Sequence, residues 1–348
     1  MKVLVTGHRG YIGVEMVPVL RDAGHEVVGL DTGLYDECDF IAPPDEIPSL
    51  DVDLRDVTPA HLSGFDAVMH LGALSNDPLG DVNKQITYDI NQHASVRLAR
   101  AAKAAGVERF LFSSSCSLYG AGGDAFLDEN AAFYPVTAYG ESKVLVEQEV
   151  SRIADESFSP VYLRNATAYG VSRRLRADIV VNNLVGYAFT TGKVLLQSDG
   201  TPWRPIVHIR DISAAILSVL EAPQQVIHNE IFNVGQTEEN YRIRDLADIV
   251  AETVPGCRVE YAPDGGPDKR CYRVNFDKIR RVLPGFHPQW TAHKGAHELY
   301  EAYRAVGLSF ADLELGRYTR ITHIQELMQT GQLNSSLRWS NQHAETAV

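Results

Sequence analysis

Tyr139 and Lys143, in the run Tyr139-Gly140-Glu141-Ser142-Lys143, stand four residues apart. That separation puts two side chains on one face of a helix. A phenol with a pKa of about 10 is a poor base at neutral pH, but a cation one turn away stabilises the phenolate. The pair can therefore take a proton from a hydroxyl group. Upstream, Phe110-Leu111-Phe112 runs as an apolar strand into three hydroxyls, Ser113, Ser114 and Ser115. His293 and His297 have the i, i+4 spacing of metal ligands. Gly295 lies between them and no third ligand is evident, so they read as the start of a surface helix and no metal is expected.

A second constellation opens the chain. Thr6-Gly7-His8-Arg9-Gly10-Tyr11-Ile12-Gly13 follows the apolar run Lys2–Thr6 and leads into a helical period. Gly7 permits a tight turn, Gly10 lets the backbone approach a pyrophosphate, and Gly13 lets the helix lie close to the sheet. The helix start then offers free N–H groups and a positive dipole end to phosphates. Asp31 closes the next apolar run, Val27-Val28-Gly29-Leu30. A carboxylate there accepts the hydroxyls of an adenosine ribose and repels a 2′-phosphate, which favours NAD over NADP. Arg9 is the dissenting feature, since a basic side chain in this turn could meet a 2′-phosphate.

The elements that must position these residues alternate along the first half. Lys2–Thr6, Glu26–Asp31, Phe65–Leu71, Arg109–Ser113 and Pro160–Arg164 read as strands buried on both faces. Helical periods span Tyr11–Ala23, Asn91–Ala105 and Tyr139–Ala154. Such alternation implies a doubly wound parallel sheet of the Rossmann type. Beyond Tyr169-Gly170 the rhythm loosens. Helices are expected at Ile179–Thr190, Asp211–Glu221 and Ile243–Val254, and strands at Pro205–Ile209 and Glu230–Val234. The expected division is a cofactor domain over 1–170, with contributions from about 205–235. A smaller mixed α/β substrate lobe takes 171–204 and 236–310, and an extension takes 311–348. The extension reads as a polar tail with one amphipathic stretch, Ile321–Met328, an apolar pair, Leu337 and Trp339, and a disordered end, Ser340–Val348.

With 348 residues, 45% of them hydrophobic, the chain has ample material for a large core. No run approaches the roughly 18 apolar residues of a membrane helix, and Met1–Gly7 lacks the apolar core of a signal peptide. Cys38, Cys116, Cys257 and Cys271 form no CxxC pair, which fits a reducing compartment better than a disulfide framework. A cytoplasmic location is expected. The net charge of −13 disfavours nucleic acid and anionic lipid surfaces. An anionic small substrate stays possible if local arginines oppose that field.

In order, the glycine turn, Asp31, Asp53-Leu54-Arg55-Asp56, His70-Leu71-Gly72-Ala73, Asn91, Ser115 and the Tyr139/Lys143 pair resemble the extended short-chain dehydrogenase/reductases, including their nucleotide-sugar epimerases and dehydratases. Three later stretches fit the same likeness: Leu163–Gly170, Asp199–His208, and Asp268-Lys269-Arg270 with Arg273. The resemblance covers residues 1 to about 305. It implies NAD as cofactor, bound by Gly7, Arg9, Gly10, Tyr11, Ile12, Gly13, Asp31, Asp53, Leu54, Leu71, Gly72, Ala73, Asn91 (from a helix start), Ser113, Tyr139 and Lys143. It implies Ser115, Tyr139 and Lys143 as the catalytic set. Ser75, Ser117, Thr167, Asn183, Arg204 and Arg270 would meet a nucleotide-diphosphate sugar; Asn182 and Asn183 could bind a base or face solvent, and Thr167 replaces the common Asn. Dehydratases of this family carry an acidic pair just past the catalytic hydroxyl, where this chain has Cys116 and Ser117. That small pair resembles the 4-epimerases, with a ketoreductase or dehydratase as alternatives. A non-catalytic NAD-binding protein would be expected to lack the Tyr or the Lys. The expected assembly is a homodimer.

Overall fold

In the computed structural model of the chain, the described residues are 1–42, 46–75, 83–262, 270–314 and 316–340. Val3, Leu4 and Val5 form the heart of strand β1 (Lys2–Thr6) and are fully buried. Helix α1 (Gly13–Asp22) follows, then β2 (Glu26–Leu30), β3 (Ser49–Leu50), β4 (Ala67–His70) and β5 (Arg109–Ser115). With strands Ser159–Asn165 and Glu230–Val234 they make a seven-stranded sheet in which all pairs are parallel. From one edge it runs Glu230–Val234, Ser159–Asn165, β5, β4, β1, β2, β3. The order reverses between β1 and β4, so a crevice opens at the carboxyl ends of those two strands. Thr6 stands level with Leu30 on one side and His70 on the other.

Side chains along these strands divide strictly between two cores, as a period of two requires. Val3, Val5, Met69, Leu111 and Val161 face Met16 and Leu20 of α1 and Ile212 and Ile216 of helix Ile209–Glu221. Leu4, Val68, Phe110 and Tyr162 face Leu98 and Ala102 of helix Ser95–Ala104 and Val146 and Val150 of helix Ala138–Ser151. A third core joins helices Val180–Thr191, Ile243–Thr253 and Ala292–Val306 through Val185, Leu246, Leu299 and Tyr303. Beside it lies a three-stranded sheet of Thr167–Tyr169, Trp203–His208 and Asn240–Arg242.

Three expectations change. The helix expected from Asn91 starts at Lys84, capped by Asn83 Oδ1 accepting from the Ile86 N–H at 3.2 Å, and passes through a π-helical stretch, Tyr88–Ala94. The glycine turn delays α1 to Gly13. The C-terminal extension is not a polar tail. Helices Phe310–Glu314 and Arg320–Gln329 dock on the body, and Ile324, Leu327, Leu333 and Leu337 form a fourth core with Leu74 and Ile86. Each such aliphatic side chain contributes roughly 1.5–3 kcal/mol relative to exposure. Ser340 is fixed too, its Oγ donating to the Gly331 carbonyl at 2.7 Å, while 341–348 lie outside the described residues. Among the described residues no helix is long and apolar enough to cross a membrane. All four cysteines are free thiols.

Candidate functional site

A cleft of about 1020 Å³ opens over the crevice between β1 and β4. Of the site residues expected from the sequence, all line it except Asn91. Gly7 sits at φ +73°, and a Cβ there would stand 2.8 Å from the Gly72 nitrogen. A Cβ on Gly13 would stand 2.3 Å from the Gly7 carbonyl oxygen. Both positions therefore demand glycine. No side chain caps the first N–H groups of α1, so they face the cleft with the positive end of the helix dipole. Asp31 is aimed by two backbone donors, Arg9 N–H and Gly33 N–H, each at 3.0 Å. This glycine cradle, with bare helix N–H groups and an oriented carboxylate at its rim, fits a dinucleotide's pyrophosphate and ribose.

Arg9 is engaged by polar side chains. Its guanidinium bonds Asp36 at 3.2 Å, Ser49 at 3.1 Å and Asp51 at 2.9 Å. Tyr11 offers the cleft its backbone, because its buried hydroxyl donates to the Gly170 carbonyl at 2.7 Å. Asn91 does not line the cleft; it lies within the π-helical stretch, behind the wall. Its side chain accepts from Leu74 N–H at 2.8 Å and donates to the Leu74 carbonyl at 3.0 Å, holding the Leu71–Leu74 loop. Burial raises the pKa of Asp53, but its bonds to Arg55 and the nearby Arg338 outweigh this and hold it below the usual carboxylate value.

On the opposite side, Thr137 caps helix Ala138–Ser151 by accepting from Gly140 N–H at 3.1 Å. This orients Tyr139 and Lys143 into the cleft. Lys143 is only 4% exposed, with its Nζ 5.5 Å from the centre of the Tyr139 ring and donating to the Ser113 carbonyl at 2.7 Å. Burial pulls its pKa down to about 7, against the pull of Glu147 one turn further on. Strand alternation separates the three serines. Ser114 turns into the core and donates to Glu147 at 2.5 Å. Ser113 accepts from Asn165 at 3.0 Å, and Ser115 accepts from Ser117 N–H at 3.1 Å. Cys116 is fully buried, its thiol donating to the Arg164 carbonyl at 3.1 Å and pushed up in pKa by burial.

The substrate-side residues fall less evenly. Arg176 is buried against Asp178 and donates to Ser75 Oγ at 3.1 Å. Asn183 donates to the Ala177 carbonyl at 3.0 Å. Asn182 neither faces solvent nor lines the cleft; it is buried and binds Gly170 and Tyr11. Arg204 donates to the Arg270 carbonyl, and both line the cleft. Arg273 instead stacks on Phe126 and Trp203, and Asp268 and Lys269 lie outside the described residues. His293, near the start of helix Ala292–Val306, faces Glu252 at 3.9 Å. Among the described residues no group of three His, Cys, Asp or Glu could hold a metal. Sequence reasoning also missed the buried pair Arg164–Glu147, at 2.6 Å, beneath Ser114 and Lys143. Its one signal was an acid four residues after Lys143.

The family model described as "NAD dependent epimerase/dehydratase family" matches residues 3–235. The chain belongs to that family. It is 28% identical over 309 residues to a UDP-glucose 4-epimerase of Corynebacterium glutamicum, an alignment spanning 84% of this chain and 92% of the relative. Among solved structures it resembles MoeE5 in complex with UDP-glucuronic acid and NAD, with a TM-score of 0.76 and 26% identity over 88% of this chain and 99% of that one. TunA, an NAD-dependent NDP-hexosamine 5,6-dehydratase, shares the fold at a TM-score of 0.78 and 21% identity, over 87% of this chain and 98% of that one. NAD is thus the cofactor of the family, and the glycine cradle and Asp31 have the features such a cofactor needs.

Proposed function

We propose that this chain is an NAD-dependent epimerase of a nucleotide-diphosphate sugar. Bound NAD supplies the hydride acceptor for the sugar carbon. Tyr139 takes the proton from the sugar hydroxyl, and Ser115 holds the same oxygen as charge develops on it. Lys143 stabilises the Tyr139 phenolate and holds the nicotinamide ribose. On the sugar the sequence is hydroxyl, transient ketone, then hydroxyl of opposite configuration, with Tyr139 restoring the proton. Residues 1–170, joined by about 205–235, form the cofactor domain in this reading, and the remaining segments before 311 form the substrate lobe.

The observation that carries the choice of epimerase is the position after Ser115. Loss of water from the ketone needs an acid and base there, and Cys116 is buried on a backbone carbonyl with its thiol pKa raised. The carboxylates lining the cleft among the described residues are Asp31, Asp53, Asp178 and Glu314. Asp31 and Asp53 stand at the ribose end, and Asp178 is held by Arg176. A panel of nucleotide sugars incubated without added reduced cofactor tests the choice. The expected product is an isomer of equal mass; loss of water would make the chain a dehydratase, and turnover only with NADH a ketoreductase.

Cofactor choice follows from the same geometry. Asp31 should make NAD bind far better than NADP, because Arg9 is neutralised by Asp36 and Asp51. Asp31→Asn keeps an oxygen for one of the two backbone donors and removes the charge, so titration should show the NAD/NADP gap narrowing. Wild-type preference for NADP would contradict the assignment.

Arg270 is assigned to the substrate diphosphate, its backbone held by Arg204. A contact so remote from the reacting carbon binds ground and transition states alike. Arg270→Ala is therefore expected to raise KM for the nucleotide sugar about tenfold or more with kcat little changed. An unchanged KM at low salt would move the diphosphate elsewhere.

A further inference from the structure

The C-terminal segment lies outside the stretch matched by the family, yet it brings a charged group into the cleft. Arg320, at the start of helix Arg320–Gln329, is 4% exposed. Its guanidinium lies 3.7 Å from the centre of the Tyr35 ring, and Nη2 donates to the Arg174 carbonyl at 3.3 Å. Nη1 is buried with no hydrogen-bond partner among the described residues. The nearby Asp178 is already committed to Arg176 through both oxygens. Burial pulls the Arg320 guanidinium below its usual pKa, and Arg176 adds repulsion. Asp178, which it shares with Arg176, is the negative charge that Arg320 feels, and an anion bound in the cleft would further offset the cost of burying the guanidinium.

The segment is fastened to one strip of the cleft wall. His323 bonds the Leu34 carbonyl at 2.9 Å, and Trp339 donates to the Thr32 carbonyl at 2.6 Å. That strip directly follows Asp31, the carboxylate at the ribose end. Arg320 lines the same cleft as Gly7, Gly10 and Gly13 at the start of α1. One cleft thus holds both the buried guanidinium and the uncapped N–H groups of α1.

We propose that Arg320 is a ligand of the dinucleotide's pyrophosphate, so that the C-terminal segment completes the cofactor site. This rests on NAD being the cofactor. The test is calorimetric titration of wild type, Arg320→Met and Arg320→Lys with NAD, ADP, adenosine and UDP, at low and raised salt, with the melting temperature of each ligand-free protein. Arg320→Met is expected to bind ADP and NAD about tenfold more weakly, with a flatter salt dependence, and adenosine and UDP as before. Arg320→Lys should recover part of the loss. Ligand-free Arg320→Met should melt no lower than wild type, because the cost of burying a cation has gone. Unchanged ADP affinity overturns the proposal, as does a loss confined to UDP, which would give Arg320 to the substrate. A large fall in melting temperature with equal weakening of adenosine makes its role structural and overturns it too. Failure of wild type to bind NAD would instead sink the cofactor reading itself.

Discussion

Tyr139→Phe is expected to lower kcat about 10²–10⁴-fold, the usual loss when a positioned general base is removed. NAD affinity should change little, because the glycine cradle, the N-terminus of α1 and Asp31 are untouched. The helix should also stay in place, since its cap is Thr137 and its buried face is Val144, Val146 and Val150. Steady-state kinetics and a direct NAD titration check this together. Turnover above half of wild type would remove Tyr139 from the chemistry; loss of NAD binding would mean that the substitution disturbs the cleft rather than the proton transfer.

The second large effect concerns stability beneath the site. Arg164 is 1% exposed and its pair with Glu147 is nearly as deeply buried. Arg164 also donates to Tyr119 at 2.9 Å and to the Glu129 carbonyl at 3.0 Å, while Glu147 accepts from Ser114. Arg164→Met strands a buried carboxylate and should cost about 3–5 kcal/mol. Thermal unfolding should then begin several degrees lower. The double variant Arg164→Met/Glu147→Leu should regain much of that loss, since no carboxylate is left buried without its arginine. A single variant that melts with wild type, or a double variant no better than the single, would show that the pair contributes little.

What could be read from the sequence was local. The glycine turn is legible because its strand, turn and helix are contiguous, and Tyr139 with Lys143 because a helix converts spacing directly into proximity. The six longer strands of the parallel sheet are legible as short apolar runs, which a doubly covered sheet requires. β3 was missed because Ser49–Leu50 is too short to show a period. The placement of Asn91 went astray because the helix start it was assigned to lies at Asn83, and a π-helical stretch intervenes. Beyond the amphipathic stretch Ile321–Met328, the docking of the C-terminal segment was illegible for another reason: Leu333, Leu337 and Trp339 have no common period, and their partners Leu74, Ile86 and the Thr32 carbonyl are distant in the chain. The burial of Arg176 and Arg320 could not be read because nothing local announces it. Their environment is made by Ser75, Tyr35 and Asp178, contributed from three separate stretches.

In the proposed reaction one carbon of the sugar loses its hydrogen as hydride and receives the same hydrogen back on the opposite face. Turnover of an accepted nucleotide sugar in D2O, followed by NMR of the product, tests it without knowing which carbon is inverted. The expected product is an epimer whose inverted carbon carries no solvent deuterium. Deuterium at that carbon would mean exchange with solvent through proton abstraction, and would contradict the assignment of Tyr139, Ser115 and Lys143 to a hydroxyl oxidation.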